Sequence, residues 1–139
     1  MNFEAIVTTS IDCGYRTHTG LGPGLLESAY QAVLVELLRR KGLSVQEELL
    51  VPIVFENMTI DRGFRADIVV EGKLLIELKS VERLAPVHGK QVLTYLRLAN
   101  LPLGLLMNFG GGTFKEGLRR ITNGYDDSDT AYRQSRKVQ

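Results

Sequence analysis

Stripes of apolar residues at helical spacing alternate with short apolar runs along this chain. The stripes predict helices over residues 3–17, 23–41 and 85–99. The runs predict strands over residues 44–55, 64–70, 74–79 and 103–109, with a last short element over 114–121. Residues 18–22 are predicted to break the first helix, and residues 57–63 are predicted to be a turn region. Pro52 favours an edge strand or a bulge.

The two runs on either side of Glu71-Gly72-Lys73 predict a β-hairpin whose strands contain charged residues. A two-residue loop would place Asp67 opposite Ile76, whereas a three-residue loop places Asp67 directly opposite Glu77. The three-residue loop collects all the charge on one face, which carries Arg65, Asp67, Val69, Leu75, Glu77 and Lys79. The other face is then wholly apolar and carries Phe64, Ala66, Ile68, Val70, Leu74, Ile76 and Leu78. Because a slip of one residue would mix the two faces, the pattern favours the three-residue loop.

The order of predicted elements indicates the fold class and the extent of the domain. Helices on both sides of a group of strands are typical of a layered α/β domain. The helix over residues 85–99 is long enough to connect two parallel strands across the sheet. We expect one domain over residues 1–122. Residues 123–139 are polar and lack periodicity, so we expect a mobile tail there.

Composition is that of an ordinary globular protein, with 139 residues, 44% hydrophobic and 24% charged. Cys13 is the single cysteine, which excludes a disulfide framework and fits a reducing cytoplasm. A signal-peptide pattern and a membrane-length apolar run are both missing, so we expect a cytoplasmic protein without a membrane partner. The net charge of +1 gives no global argument for nucleic acid. Small basic clusters at residues 39–41, 119–120 and 133–137 fit solvated helix ends and a tail.

Asp67, Glu77 and Lys79 form a constellation that suits phosphodiester hydrolysis. Opposed residues of a hairpin have Cβ atoms about 5 Å apart, so the two carboxylates could share one metal ion. Mg²⁺ prefers oxygen ligands, and the carbonyl of Leu78 could supply a third. Such an ion would acidify a bound water and polarise a phosphate, while Lys79 could orient that water or stabilise negative charge. The alternative is an ordinary solvated strand, on which Glu-x-Lys is common.

Two predicted helices carry further polar candidates. His88, Gln91 and Tyr95 share one stripe of the helix over 85–99, and that stripe could face the charged side of the hairpin. The alternative is a surface position, which we favour for His88. Glu27 lies near the start of the second helix, where the helix dipole alone explains a glutamate. The functional alternative places Glu27 beside the metal.

Several spaced motifs point to a family. The segment Gly24-Leu25-Leu26-Glu27-Ser28-Ala29-Tyr30 has the pattern GxxExxY. Further matching segments are residues 21–23, 64–67, 77–80, 86–88, 91–98 and 103–109. Over about residues 3–122 the chain therefore resembles the GxxExxY family of small bacterial and archaeal proteins, which looks like a branch of the PD-(D/E)xK nuclease superfamily.

This resemblance implies a restriction-endonuclease-like core, in which helices flank a central mixed β-sheet. It implies Asp67, Glu77 and Lys79 as the metal-binding and catalytic residues, and it places Glu27 and Gln91 in supporting catalytic positions. It implies Mg²⁺ or Mn²⁺ as the cofactor. The candidates for contacts with a substrate are Tyr30, Arg65 and Tyr95. Ala66 stands where the name of the superfamily has proline, a position that varies widely among its members.

Two hypotheses about function follow from these residues and this resemblance. In the first, the protein is a Mg²⁺-dependent nuclease that hydrolyses phosphodiester bonds, with DNA favoured over RNA. Asp67 and Glu77 would hold the metal with Glu27 assisting, Lys79 would position water, and Gln91 would orient Lys79 or substrate. In the second, the protein is a non-catalytic module that binds nucleic acid or protein. A homodimer is compatible with either hypothesis.

Overall fold

The computed structural model describes residues 1–125, which form a five-stranded sheet with helices on both faces. The helices are α1 (Phe3–Leu21), α2 (Glu27–Arg40) and α3 (Pro86–Ala99). The strands are β1 (Val45–Phe55), β2 (Met58–Val70), β3 (Leu74–Lys79), β4 (Leu103–Asn108) and β5 (Leu118–Thr122). Within this part of the chain, every helix is too short or too polar to cross a membrane.

The sheet has the strand order β1-β2-β3-β4-β5 and contains both kinds of pairing. Strands β3 and β4 are parallel, and the other neighbours are antiparallel. Helix α3 makes the crossover between the parallel pair, as its length predicted. The predicted α/β fold with a central mixed sheet and flanking helices is therefore confirmed.

The two faces of the sheet are covered by different helices. On one face, Tyr30 and Leu34 of α2 and Val7 of α1 pack against alternate residues of β3 and β4. On the other face, Val92 and Leu96 of α3 pack against the intervening residues. Gly104 of β4 allows this close approach, since a Cβ atom there would lie 2.8 Å from the Val92 side chain. Burial on both faces explains why β3 and β4 are almost continuously apolar.

The ends of the first two helices differ from the predicted ones. Helix α1 continues to Leu21 instead of stopping at residue 17, and α2 begins at Glu27 instead of at Pro23. The residues between them form a loop that the Tyr30 hydroxyl holds in place. That hydroxyl donates to the carbonyl of Gly22 and accepts from the N–H of Leu25. Two hydrogen bonds to one buried hydroxyl thus compete successfully with an earlier helix start.

The predicted turn region over residues 57–63 is wrong, because β2 already begins at Met58. The turn is confined to Glu56 and Asn57, which both have positive φ. These are the angles of a tight hairpin turn whose twist matches the strands. The prediction for Pro52 is confirmed, since β1 is an edge strand and its register with β2 shifts between Val51 and Ile53.

Residues at the C-terminal end also depart from the predictions. Asn123 donates to the carbonyls of Leu96 and Leu101, and the ring of Tyr125 packs edge-on against Phe3. The packed part of the chain therefore extends three residues beyond the predicted end at 122. The rest of the predicted tail, residues 126–139, lies outside the described residues. Arg120 belongs to a cluster predicted to be solvated, yet it lies on β5 and is only 3% exposed.

Candidate active site

Strands β2 and β3 pair in the register that the three-residue loop predicts. Ile68 lies opposite Ile76, and Val70 lies opposite Leu74. Beyond Ile68 and Ile76 the two strands separate. At this point the backbone N–H groups bond to side chains of the other strand instead of to its carbonyls. The N–H of Asp67 donates to Glu77 Oε1 at 3.1 Å.

The second bond at this separation runs in the opposite direction. The N–H of Leu78 donates to Asp67 Oδ2 at 2.9 Å. Each carboxylate is therefore fixed by a backbone N–H group, and each strand contributes one carboxylate and one donor. The prediction that Asp67 and Glu77 meet is confirmed, and this reciprocal pair of bonds holds both side chains at the end of the hairpin ladder.

The predicted assignment of faces is only partly correct. Ile68 packs with the residues of α1 and α2, as the alternation requires, but Ala66 and Phe64 pack with α3. The side chains of β2 thus change sheet face at Asp67. The side chains of the neighbouring strand β1 change sheet face at the same level, where Glu48 has a left-handed backbone with φ 52°. Glu48 and Asp67 are not paired in the ladder between β1 and β2, although the residues on either side of them are. The regular alternation of both strands is therefore interrupted at these two residues.

Burial sets the protonation of the carboxylate pair. Glu77 is 7% exposed, and desolvation followed by the charge of Asp67 raises the pKa of Glu77 to about 8. Burial also raises the pKa of Asp67, against the lowering effect of the hydrogen bond from Leu78. Two like charges in contact repel strongly when one is buried and the other half-buried, so without a cation the pair retains a proton near neutral pH.

Three further charged residues act on this pair. The negative charges of Glu48 and Glu27 raise the pKa of Asp67, whereas the positive charge of Lys79 lowers the pKa values of both Asp67 and Glu77. Glu27 is the first residue of α2, and Lys79 is the last residue of β3. The fold therefore brings together residues that lie up to 52 positions apart in sequence, between Glu27 and Lys79.

Helix α3 brings Tyr95 to the same place. Its ring stacks on Phe64 with centroids 4.1 Å apart. Burial raises the pKa of Tyr95, and the charges of Glu77 and Asp67 raise it further. Gln91 is exposed one helical turn earlier on the same side of α3.

Tyr30 and His88, two candidates named from the sequence, make hydrogen bonds that support the fold. Tyr30 is fully buried, stacks on Phe109 at 4.7 Å and uses its hydroxyl in the loop before α2. This position does not suit the predicted contact with a substrate, and we assign Tyr30 to shaping that loop. His88 accepts a hydrogen bond from the N–H of Ala85 at the start of α3, in line with the non-catalytic alternative. Arg65 is exposed on β2, opposite Leu50.

Comparison with known proteins identifies the family. Residues 4–121 match the sequence family described as the PD-(D/E)XK nuclease superfamily. The chain belongs to the PD-(D/E)XK nuclease superfamily. Nucleases of this superfamily act on nucleic acids and generally use divalent metal ions. No curated protein sequence matches the chain significantly.

A solved structure supports the same fold. The protein described as "Crystal structure of SSO0001" superimposes with a TM-score of 0.51 at 18% sequence identity. The match covers 81% of this chain and 55% of that protein, so this chain spans about half of its length. At this identity the likeness concerns the fold alone.

The hairpin offers oxygen ligands for the divalent metal that the superfamily generally uses. Within residues 1–125, no group of three or more His, Cys, Asp or Glu side chains is arranged to hold a metal ion. The donors at the hairpin are instead two carboxylates, Asp67 and Glu77, with the carbonyl of Leu78 directly after Glu77 in sequence. An all-oxygen set of this size suits Mg²⁺, which keeps several waters of its own. A cation would also relieve the repulsion between these two carboxylates.

Two residues of this site were not singled out from the sequence. Glu48 is the last of three exposed polar residues near the start of β1, and only its left-handed backbone beside Asp67 distinguishes it. Asn108 is 2% exposed at the end of β4, in register with Lys79. Its side-chain amide donates to the carbonyl of Val81 and accepts from the N–H groups of Val81 and Gly110. Asn108 could have been found from the sequence as a polar residue at the end of an apolar strand.

Proposed function

We propose that this protein is a divalent-cation-dependent nuclease of the GxxExxY group that hydrolyses phosphodiester bonds in DNA. The observation that carries the proposal is the carboxylate pair at the end of the β2–β3 ladder. Asp67 and Glu77 are each fixed by a backbone N–H of the other strand, with Lys79 two residues further along β3. Burial makes this pair unfavourable as two free anions, which is an arrangement that a cation stabilises.

The roles of the central residues follow from their chemistry. Asp67, Glu77 and the carbonyl of Leu78 would hold Mg²⁺ or Mn²⁺ through oxygen atoms. The cation, when bound, lowers the pKa of a coordinated water and polarises the scissile phosphate. Lys79 carries the cationic group beside the pair, and it would position the attacking water and stabilise negative charge developing on the phosphate.

Residues from the two flanking helices would complete the site. Glu27, the first residue of α2, adds negative charge beside Asp67 and would assist in holding the cation. Tyr95 and Gln91 lie on one side of α3, where Tyr95 feels the charge of both carboxylates. They would contact the substrate or orient Lys79. Arg65 is an exposed cation two residues from Asp67 and would contact a backbone phosphate.

The proposal is tested by incubating the purified full-length chain with DNA and RNA oligonucleotides in Mg²⁺, Mn²⁺ or EDTA. We expect cleavage of DNA that requires the cation and disappears in Asp67→Ala and in Lys79→Ala. Circular dichroism and thermal unfolding establish that both variants remain folded. Cleavage that persists in both variants would assign the activity to a contaminant or to another site.

The non-catalytic alternative gives a different result in the same experiment. A binding module would retain the oligonucleotide without cutting it in any of the cations. Fluorescence anisotropy of a labelled oligonucleotide separates this outcome from a protein that does not bind nucleic acid.

A homodimer is also part of the proposal. The tip of the β1–β2 hairpin exposes apolar side chains beside the edge strand β1, namely Val54, Phe55, Met58 and Ile60. An exposed apolar edge is a template for pairing with another strand, and a second copy would extend the sheet. Sedimentation equilibrium tests this directly. A monomer at all concentrations used for cleavage would refute the dimer without affecting the nuclease proposal.

A further inference from the structure

A cleft lies one strand beyond the carboxylate pair, on the side of the sheet that α3 covers. Glu77 lies in register with Leu106, and Leu106 lies in register with Arg119. All three positions belong to the face that carries Leu75 and Ile121 in the α3 cluster. Arg119 is therefore two strand spacings from Glu77, about 10 Å along one row of the sheet.

The cleft consists of two adjoining cavities of about 380 and 710 Å³, which share Leu84 and Arg119 in their walls. Leu106 lines the smaller cavity and separates it from Glu77. Asn108, at the end of β4, lines the larger one. The cleft thus opens at the carboxyl ends of the parallel strands β3 and β4, where α/β sheets commonly bind ligands.

Three cations line this cleft, namely Arg83, Lys115 and Arg119. Glu82 and Glu116 also lie in its wall. Within residues 1–125, the ion pairs that form involve Arg39, Arg40 and Arg120, so none of the cleft cations is in direct contact with a carboxylate. Such cations in a concave site are suited to binding an anion.

Arg119 has a fixed position in this wall. One of its terminal nitrogens donates to the carbonyls of Glu116 and Leu118 at 2.7 and 2.9 Å. The guanidinium has five N–H donors in a rigid fork, so donors remain for a phosphate. Pro86 lines the smaller cavity, which also places the positive end of the α3 dipole there.

We propose that this cleft binds a backbone phosphate of the nucleic acid next to the scissile one, with Arg119 as the anchoring residue and Arg83 and Lys115 as further contacts. The inference rests on the proposed nuclease function, because it assigns the path of the same substrate across β4 and β5. It also explains how a chain with a net charge of +1 can hold a polyanion. Contacts of this kind do not require a large net charge, because each phosphate is bound locally by a few donors.

The test measures binding separately from cleavage. The full-length chain carries Asp67→Asn to prevent cutting, and fluorescence anisotropy follows a labelled DNA oligonucleotide at several salt concentrations. Arg119→Gln is expected to weaken binding about tenfold, because it removes a charge-assisted hydrogen bond. It should also reduce the slope of log K against log salt by about 0.7 to 0.9, the loss of one phosphate contact. Arg119→Lys retains the charge, and its affinity for DNA should lie between those of the parent and of Arg119→Gln.

Matched controls come from outside the cleft. Arg62→Gln and Lys73→Gln remove exposed charges on the β1–β2 hairpin and in the β2–β3 turn, and we expect both to bind within about twofold of the parent. Arg83→Gln and Lys115→Gln test the cleft without disturbing the fold, because these two side chains make no hydrogen bond within residues 1–125. Each should weaken binding about threefold.

The outcomes separate this inference from the nuclease proposal. If the wild-type chain cuts DNA but all three cleft variants bind like the controls, the cleft assignment is wrong and the nuclease function stands. If the chain binds DNA through the cleft but cuts nothing, the nuclease function is wrong and the cleft assignment stands. A chain that neither binds nor cuts would overturn both.

Discussion

The substitution Glu77→Gln should make the metal-free protein more stable while removing its activity. Glu77 is buried, accepts a hydrogen bond from the N–H of Asp67, and in its neutral form also hydrogen-bonds to the Asp67 carboxylate. Glutamine has the same shape and can make both interactions without ionising. It therefore reproduces the neutral form of Glu77 at every pH, but it is a poor ligand for Mg²⁺ compared with a carboxylate.

The size of the effect follows from the pKa of Glu77, which burial raises from its ordinary 4.5 to about 8. Between these two values the folded chain retains a proton that the unfolded chain has lost. Stability must therefore fall as pH rises through this window, by about 1.36 kcal/mol for each pH unit. The upper limit is about 4 to 5 kcal/mol at pH 8. Because Asp67 shares the proton, we expect about 2 kcal/mol in practice.

The assay is urea unfolding of wild type, Glu77→Gln and the exposed control Glu56→Gln in EDTA at pH 5 and pH 8. At pH 5 the wild type and Glu77→Gln should have similar stability. At pH 8 Glu77→Gln should be more stable by about 2 kcal/mol, while the control follows the wild type. Equal stability of the wild type and Glu77→Gln at pH 8 would refute the reasoning that Glu77 is destabilised as an anion.

Further outcomes follow from the same contacts. Mg²⁺ at a hundred times its Kd should stabilise the wild type by about 2.7 kcal/mol, seen as a higher melting temperature, and should have no effect on Asp67→Asn. Equal shifts in the two proteins would place the cation elsewhere. Tyr30→Phe should cost about 1 to 2 kcal/mol in urea unfolding, because the N–H of Leu25 loses its partner; an unchanged midpoint would contradict this. Asn108→Ala should lower stability by about 2 to 3 kcal/mol, since both backbone groups of Val81 lose their partner; calorimetry showing no loss would refute it.

The pairing of β2 and β3 could be predicted from the sequence because alternation has a period of two. In a single register all the charged residues, among them Asp67 and Glu77, fall on one face of the hairpin, so the pattern specified that register. The crossover helix α3 was equally clear, since Pro86 begins it and Asn100 ends it with a left-handed backbone. These features depend on neighbours within about 15 residues.

Features that depend on specific side-chain hydrogen bonds or on the pairing of strands could not be predicted. The start of α2 is fixed by the hydroxyl of Tyr30, and the change of face at Asp67 accompanies the left-handed backbone of Glu48. Local periodicity contains no signal for either. The position of Glu48 beside Asp67 likewise depends on pairing between β1 and β2, which single-strand patterns do not specify.

The central claim is that Asp67 and Glu77 hold a divalent cation together. The most direct test is a crystal of the full-length chain soaked in Mn²⁺ with a short DNA oligonucleotide, with anomalous scattering used to locate the ion. The account predicts a peak about 2 Å from one oxygen of Asp67, one of Glu77 and the carbonyl of Leu78. A well-ordered hairpin without a peak at these oxygens, or a peak only at other residues, would contradict it.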